Sequence, residues 1–216
     1  PPAAPLQTVP YNSTMMFAPP DHHHPAIDAT LQPLWDSLHQ HAPETRGHCQ
    51  RVGQLAEAFG RAAGLSPDER HQLHVAALFH DIGKLETPGA ILCKPGPLTL
   101  AERDVIRDHS ARGETLFSRS GHARAGVIAE AIRHHHEAFD GSGYPDGLRG
   151  GHISTLARMV AIIDNYDALT ALRPYKGRQP HREVMAYLGT GSGTRFDPAL
   201  LAVFARLIET SPLRAI

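Results

Sequence analysis

The chain has 216 residues, 41% hydrophobic and 20% charged, with a formal net charge of −1. That balance fits one globular domain with or without a tail, and it supplies no broad field to attract duplex DNA or a membrane surface, although small anionic substrates stay open. No apolar run reaches the roughly 18 residues of a spanning helix, no signal-peptide pattern opens the chain, and Cys49 and Cys93 form no CxxC pair, so a reduced, cytoplasmic protein is expected.

In chain order, residues 1–25 carry PPAAP, VPYNST and APPDHHHP and read as a proline-rich flexible tail or linker. Residues 26–216 read as one helical domain. The chain opens on Pro1 rather than Met, which leaves room for a regulatory domain or partner protein. Its oligomeric state is open, with a dimer as one option. Ile27, Leu31, Leu34, Trp35 and Leu38 recur at helical spacing, as do Val52, Leu55, Ala56 and Phe59 ahead of Gly64. Ser66-Pro67-Asp68-Glu69 predicts a capped helix start, leading to His80-Asp81. A loop is expected over 87–97. A second capping box, Thr99 to Glu102, starts a helix that runs through His109 toward Phe117. Further helices are expected over about 123–136, 154–172, 180–188 and 198–209. No alternating strand pattern competes, so the fold class is all-α, a compact helical bundle.

Sixteen histidines direct attention to metal chemistry. His22, His23 and His24 lie in the tail and read as accidental. Between His134 and Gly147 the chain reads HHHEAFDGSGYPDG, setting adjacent imidazoles and carboxylates beside a Gly-Tyr-Pro turn. Imidazole and carboxylate suit divalent transition metals. Glu44 and His48 are one helical turn apart, and His80-Asp81 falls near a helix end. Asp164 and Asp167 interrupt the otherwise apolar MVAIIDNYDAL. A carboxylate buried there without a partner is costly, so a metal or cation is expected beside it.

His80-Asp81-Ile82-Gly83-Lys84 looks like the signature of the HD metal-dependent phosphohydrolases. With His135-His136-Glu137, Asp140-Gly141-Ser142-Gly143-Tyr144-Pro145 and the segment from Asp164 to Tyr175, it resembles the HD-GYP subfamily over about residues 40–210. The chain departs from the family pattern at Phe79, Ser110 and Ile163, and Phe79 is expected to narrow the pocket. The resemblance implies a bacterial phosphodiesterase that cuts cyclic di-GMP to pGpG, with further cleavage to GMP left open, and a bi- or trinuclear metal site in the bundle core. Implied ligands are His48, His80, Asp81, His109, His135, His136 and Asp164, with Glu44 matching the carboxylate of members that hold a third ion. Iron or manganese is favoured, and zinc, cobalt or nickel also suits nitrogen and oxygen donors. Lys84 matches the catalytic lysine. Gly143, Tyr144, Pro145, Asp167, Arg173 and Lys176 match the substrate side.

Two metals acting on a phosphodiester need a shared ligand, and Asp81, with two oxygens, is the expected bridge. Glu137 and Asp140 are expected to orient His135 and His136, while His134 is not expected to ligate. The basic stretch of Arg149, Arg158, Arg173, Lys176, Arg178 and Arg182 is expected to favour a bis-phosphate ligand. Two alternatives remain: an HD hydrolase for another nucleotide or cyclic dinucleotide, and a catalytically silent module that binds cyclic di-GMP or a partner.

Overall fold

Two capping boxes fix the register of the helices that carry the central motif. The Ser66 hydroxyl accepts the Glu69 amide while the Glu69 carboxylate accepts the Ser66 amide, and Thr99 and Glu102 repeat the exchange. Each such cap satisfies amide groups that a helix start otherwise leaves unpaired. The computed structural model describes residues 27, 29–43, 45–171 and 179–215. Over these it forms α1 (Gln32–His41), α2 (Thr45–Ala62), α3 (Pro67–Phe79), a 3₁₀ segment Ile82–Glu86, the single turn α4 (Gly89–Leu92), α5 (Leu100–Arg107), α6 (His109–Ser118), α7 (Ala125–His134), α8 (Thr155–Thr170), α9 (His181–Thr190) and α10 (Pro198–Thr210). Among the described residues the only β pairing is an isolated bridge, Ser192 to Phe196. The expected tail and the implied residues Glu44, Arg173 and Lys176 lie outside the described residues.

The central helix is α8. Ser154 caps it, and Leu156, Ala157, Met159, Val160, Ala161, Ile162, Ile163 and Tyr166 are all buried. A helix apolar around most of its circumference is a core helix, and α8 touches α2, α3, α7, α9 and α10. Around it Phe59 and Tyr166 both pack on Phe204, with ring centroids 5.2 Å apart in each pair. Each such buried side chain contributes about 1.5–3 kcal/mol.

Two expectations are corrected here. The helix expected from Thr99 through His109 divides at Asp108, so His109 opens α6 instead of sitting inside a longer helix. Phe79 does not narrow the pocket, because it is fully buried between Trp35 and Phe117, at 5.6 and 5.4 Å.

Candidate metal centre

Helix ends converge on one point and deliver the imidazoles. His80 caps the C-terminus of α3, His109 opens α6, and His135 caps α7. Each of the three turns Nδ1–H back to the carbonyl three residues earlier: His80 to Ala77 at 2.8 Å, His109 to Ile106 at 2.7 Å and His135 to Ile132 at 2.6 Å. Such bonds fix the tautomer and leave Nε2 as a free lone pair. His48 on α2 is oriented differently, by the Asp167 carboxylate at 2.7 Å from its Nδ1. Its Nε2 stands 3.2 Å from that of His80, and the Nε2 atoms of His109 and His135 are 3.4 Å apart. His136 is held by ring packing, on His135 at 3.9 Å and on Tyr144 at 4.8 Å.

The donors fall into two groups, His48, His80 and Asp81 on one side and His109, His135 and His136 on the other, each with its ligand atoms within 4.8 Å of one another. Asp81 faces both groups, with Oδ1 3.5 Å from His109 Nε2 and Oδ2 3.6 Å from His80 Nε2. Asp164 joins the first group at 3.1 Å from His48 Nε2. These distances are too short for a set of protonated imidazoles. Burial, then the neighbouring imidazoles, push His135 well down and His136 to about 3, and burial likewise lowers His109. Burial opposes charge on Asp81 and Asp164, but Lys84 and the histidines around them outweigh it and hold both ionised. Imidazoles turned inward and buried carboxylates form a donor set that fits divalent cations, whose binding would displace the proton that Asp164 and Asp167 favour on His48.

The approach is set by glycine. A Cβ on Gly83 would lie 1.8 Å from the His109 carbonyl and 2.6 Å from the Gly113 amide, so only glycine lets the His80-Asp81 turn reach α6. Gly113 forms no recognisable motif in the sequence, and its part appears only when the two segments meet. Gly143, matched to the substrate side, lines the cavity beside His136, and its close approach is to the chain itself. A Cβ there would meet the Ala138 amide at 2.1 Å.

Beside the second group opens a cavity of about 550 Å³, lined by Tyr144, Gly143, His135, His136 and Asp164 together with Arg107, Asn165, Thr194 and Arg195. Pro145, joined to Tyr144 by a cis bond, is exposed and lies outside that lining. Asp167, expected among the substrate contacts, is elsewhere. It is buried, accepts His48 and takes Arg51 at both oxygens, 2.6 and 2.9 Å. Glu137 and Asp140 do not orient the histidines. Glu137 accepts the Asp146 amide and Asp140 the Ser142 amide, because backbone carbonyls and ring packing already fix His135 and His136. His134 is turned to Asp146, 2.8 Å away. Of the basic stretch, Arg158 is committed to Asp197 and Thr155.

A family model described as HD domain matches residues 34–200. The chain belongs to that family and, within it, to the HD-GYP group of metal-dependent phosphohydrolases. It is 37% identical over 164 residues to a cyclic di-GMP phosphodiesterase of Thermotoga maritima, covering 76% of this chain and 45% of that protein. It is 42% identical over 142 residues to the 3′3′-cGAMP-specific phosphodiesterase 1 of Vibrio cholerae, covering 64% and 32%. The solved structure of Bd1817, an HDG"Y"P protein from Bdellovibrio bacteriovorus, superposes with a TM-score of 0.61 at 20% identity, covering 76% of this chain and 52% of that one. That likeness concerns the all-α HD fold alone. The chain spans less than half the length of both curated relatives. Among the described residues no helix is long and apolar enough to cross a membrane.

Proposed function

We propose that this domain hydrolyses the phosphodiester bonds of cyclic di-GMP, giving linear pGpG, with two or three divalent transition-metal ions in the centre. The observation that carries the reading is Asp81, which offers one oxygen to each ligand group. A carboxylate can serve two cations at once, where a neutral imidazole has one lone pair. His48, His80 and Asp164 would complete one side, and His109, His135 and His136 the other. Iron or manganese is favoured, and zinc, cobalt or nickel suits the same donors. A third ion would take Glu44, a role that rests on the sequence resemblance.

Divalent ions held there supply charge stabilisation at the phosphoryl oxygens and a lowered pKa for water. The protein's own part falls largely to Lys84, whose Nζ donates to Asp81 Oδ2 at 2.6 Å. Burial works against its charge, but Asp81 overrides that and raises its pKa. Lys84 therefore holds a proton at the edge of the cluster, where it can pass it to the departing ribose 3′-oxygen or balance the charge that develops there. Tyr144 and Gly143 shape the cavity wall. Burial pushes the Tyr144 phenol up, so it acts as a neutral hydroxyl and an aromatic face.

The names of the curated relatives support a cyclic dinucleotide substrate. They also favour a second reading, 3′3′-cGAMP, which keeps both phosphates and changes one base. Metal-loaded protein incubated in parallel with cyclic di-GMP, 3′3′-cGAMP and cyclic di-AMP, with products resolved by chromatography, separates the two. Linear pGpG is the expected product. Cyclic di-GMP left intact by protein that holds its metal overturns the reading.

A further inference from the structure

The cavity beside the centre is lined by two arginines, Arg107 and Arg195, that stand outside the two ligand groups. Arg107 ends α5, two residues before His109, and its guanidinium carbon lies over the Tyr144 ring, 5.2 Å from the centroid. Tyr144 in turn stacks on His136. Arg195 is mounted against the loop that follows α7, where its carbonyl accepts the Phe139 amide at 3.2 Å and the neighbouring Thr194 carbonyl accepts the Asp140 amide at 2.8 Å. Both arginines line the cavity that contains Asp164 and His136.

Neither guanidinium is consumed by a tight ion pair. Arg107 has Asp104 at 3.9 Å, with both side chains well exposed, an arrangement worth little in water. Arg195 uses Nη1 on the Tyr187 hydroxyl and keeps its other donors. Arg158 is the contrast: it belongs to the basic stretch of the sequence, yet its donors are spent on Asp197 and Thr155.

We propose that Arg107 and Arg195 form a subsite for the second, non-reacting phosphate of a cyclic dinucleotide, a proposal that rests on the functional reading above. Such a ligand closes two phosphodiester links in one ring. With one phosphate anchored among the ligand residues, the other stays within the same cavity, whose lining includes both arginines. Guanidinium offers paired donors that match phosphate oxygens, and the stack through Tyr144 ties Arg107 to the metal-ligating segment. The subsite thus selects for two linked phosphates, where a diester with one phosphate gains nothing from it.

The test compares cyclic di-GMP with bis(p-nitrophenyl) phosphate, a diester with a single phosphate, on metal-loaded wild-type protein and on Arg107→Gln, Arg195→Gln and the double variant. Removing a charge-assisted hydrogen bond should lower the ratio of the two kcat/KM values by on the order of tenfold to a hundredfold, mainly through KM for cyclic di-GMP. Arg107→Lys should restore part of it. Metal content and thermal midpoint are measured on every variant. An unchanged ratio, or one that falls only in step with lost metal, overturns the subsite while the functional reading stands. Wild-type protein that cleaves the single-phosphate diester but no cyclic dinucleotide overturns both.

Discussion

Nδ1 of His48 stands 2.7 Å from Oδ2 of Asp167, so this inward-facing imidazole is oriented by a carboxylate where His80, His109 and His135 use backbone carbonyls. Arg51 grips the same carboxylate at both oxygens, fixing it and balancing its charge. Asp167→Asn should weaken metal binding by about 10- to 100-fold, the usual scale for a partner that orients a ligand. Arg51→Met should do so less strongly, and Arg51→Lys should recover part of the loss. Titration of metal-free protein with Mn²⁺, followed by calorimetry, reads this without any turnover. Affinity unchanged in Asp167→Asn would show that the carboxylate only packs.

Gly83 permits the contact on which the centre depends. Gly83→Ala places a methyl group 1.8 Å from the His109 carbonyl, so backbone must move. The expected cost is about 3 kcal/mol of stability, near the upper end for overpacking, together with loss of metal. Urea unfolding of metal-free protein measures the first effect, and metal analysis of the purified variant measures the second.

Stability of the metal-free protein should be greatest between pH 6.5 and the His48 value of about 9, nearer the former, and fall on both sides. On the acid side the cause is His135 and His136, lowered by burial and then by neighbouring imidazoles, His136 to about 3. Below their unfolded pKa of 6.5 the unfolded chain binds protons that the folded chain refuses, so stability drops as pH falls. On the alkaline side the cause is His48. Burial alone would lower it, but Asp164 and Asp167 outweigh that and raise it to about 9. Its contribution is full below 6.5 and disappears as pH rises through 9. Urea midpoints of chelator-treated protein across this range test the shape, and a midpoint that climbs steadily with pH contradicts it.

Among the described residues the Lys84 ammonium hydrogen-bonds to Asp81, so its charge can be removed while the imidazoles stay in place. Lys84→Met should keep its metal and lose on the order of a hundredfold or more in kcat, the scale of a lost proton donor. Full activity with full metal would reduce Lys84 to a structural ion pair with Asp81.

What the sequence disclosed was whatever is local. The Ser66 and Thr99 caps, the apolar periodicity of α8 and the His80-Asp81 turn each lie within a few residues, and the structure agrees with all of them. The break at Asp108 had no proline or glycine to announce it. Asp167 stood out as an acid on a buried helix, but its role depended on Arg51, 116 residues away. Arg107 and Arg195 were passed over for the same reason, since only the folded loop brings them to one cavity with Tyr144. Charge along a sequence does not say which carboxylate an arginine meets: in the basic stretch Arg158 meets Asp197, while Arg173, Lys176 and Arg178 lie outside the described residues.

The proposed multinuclear centre requires Asp81 to join the two ligand groups. Anomalous scattering from crystals of metal-loaded protein, collected at the iron, manganese and zinc edges, tests this without any turnover. At least two peaks are expected, one on either side of Asp81, with the His48–His80 group holding one and the His109–His135–His136 group the other. A single peak, with one Asp81 oxygen left bound to Lys84 alone, contradicts it.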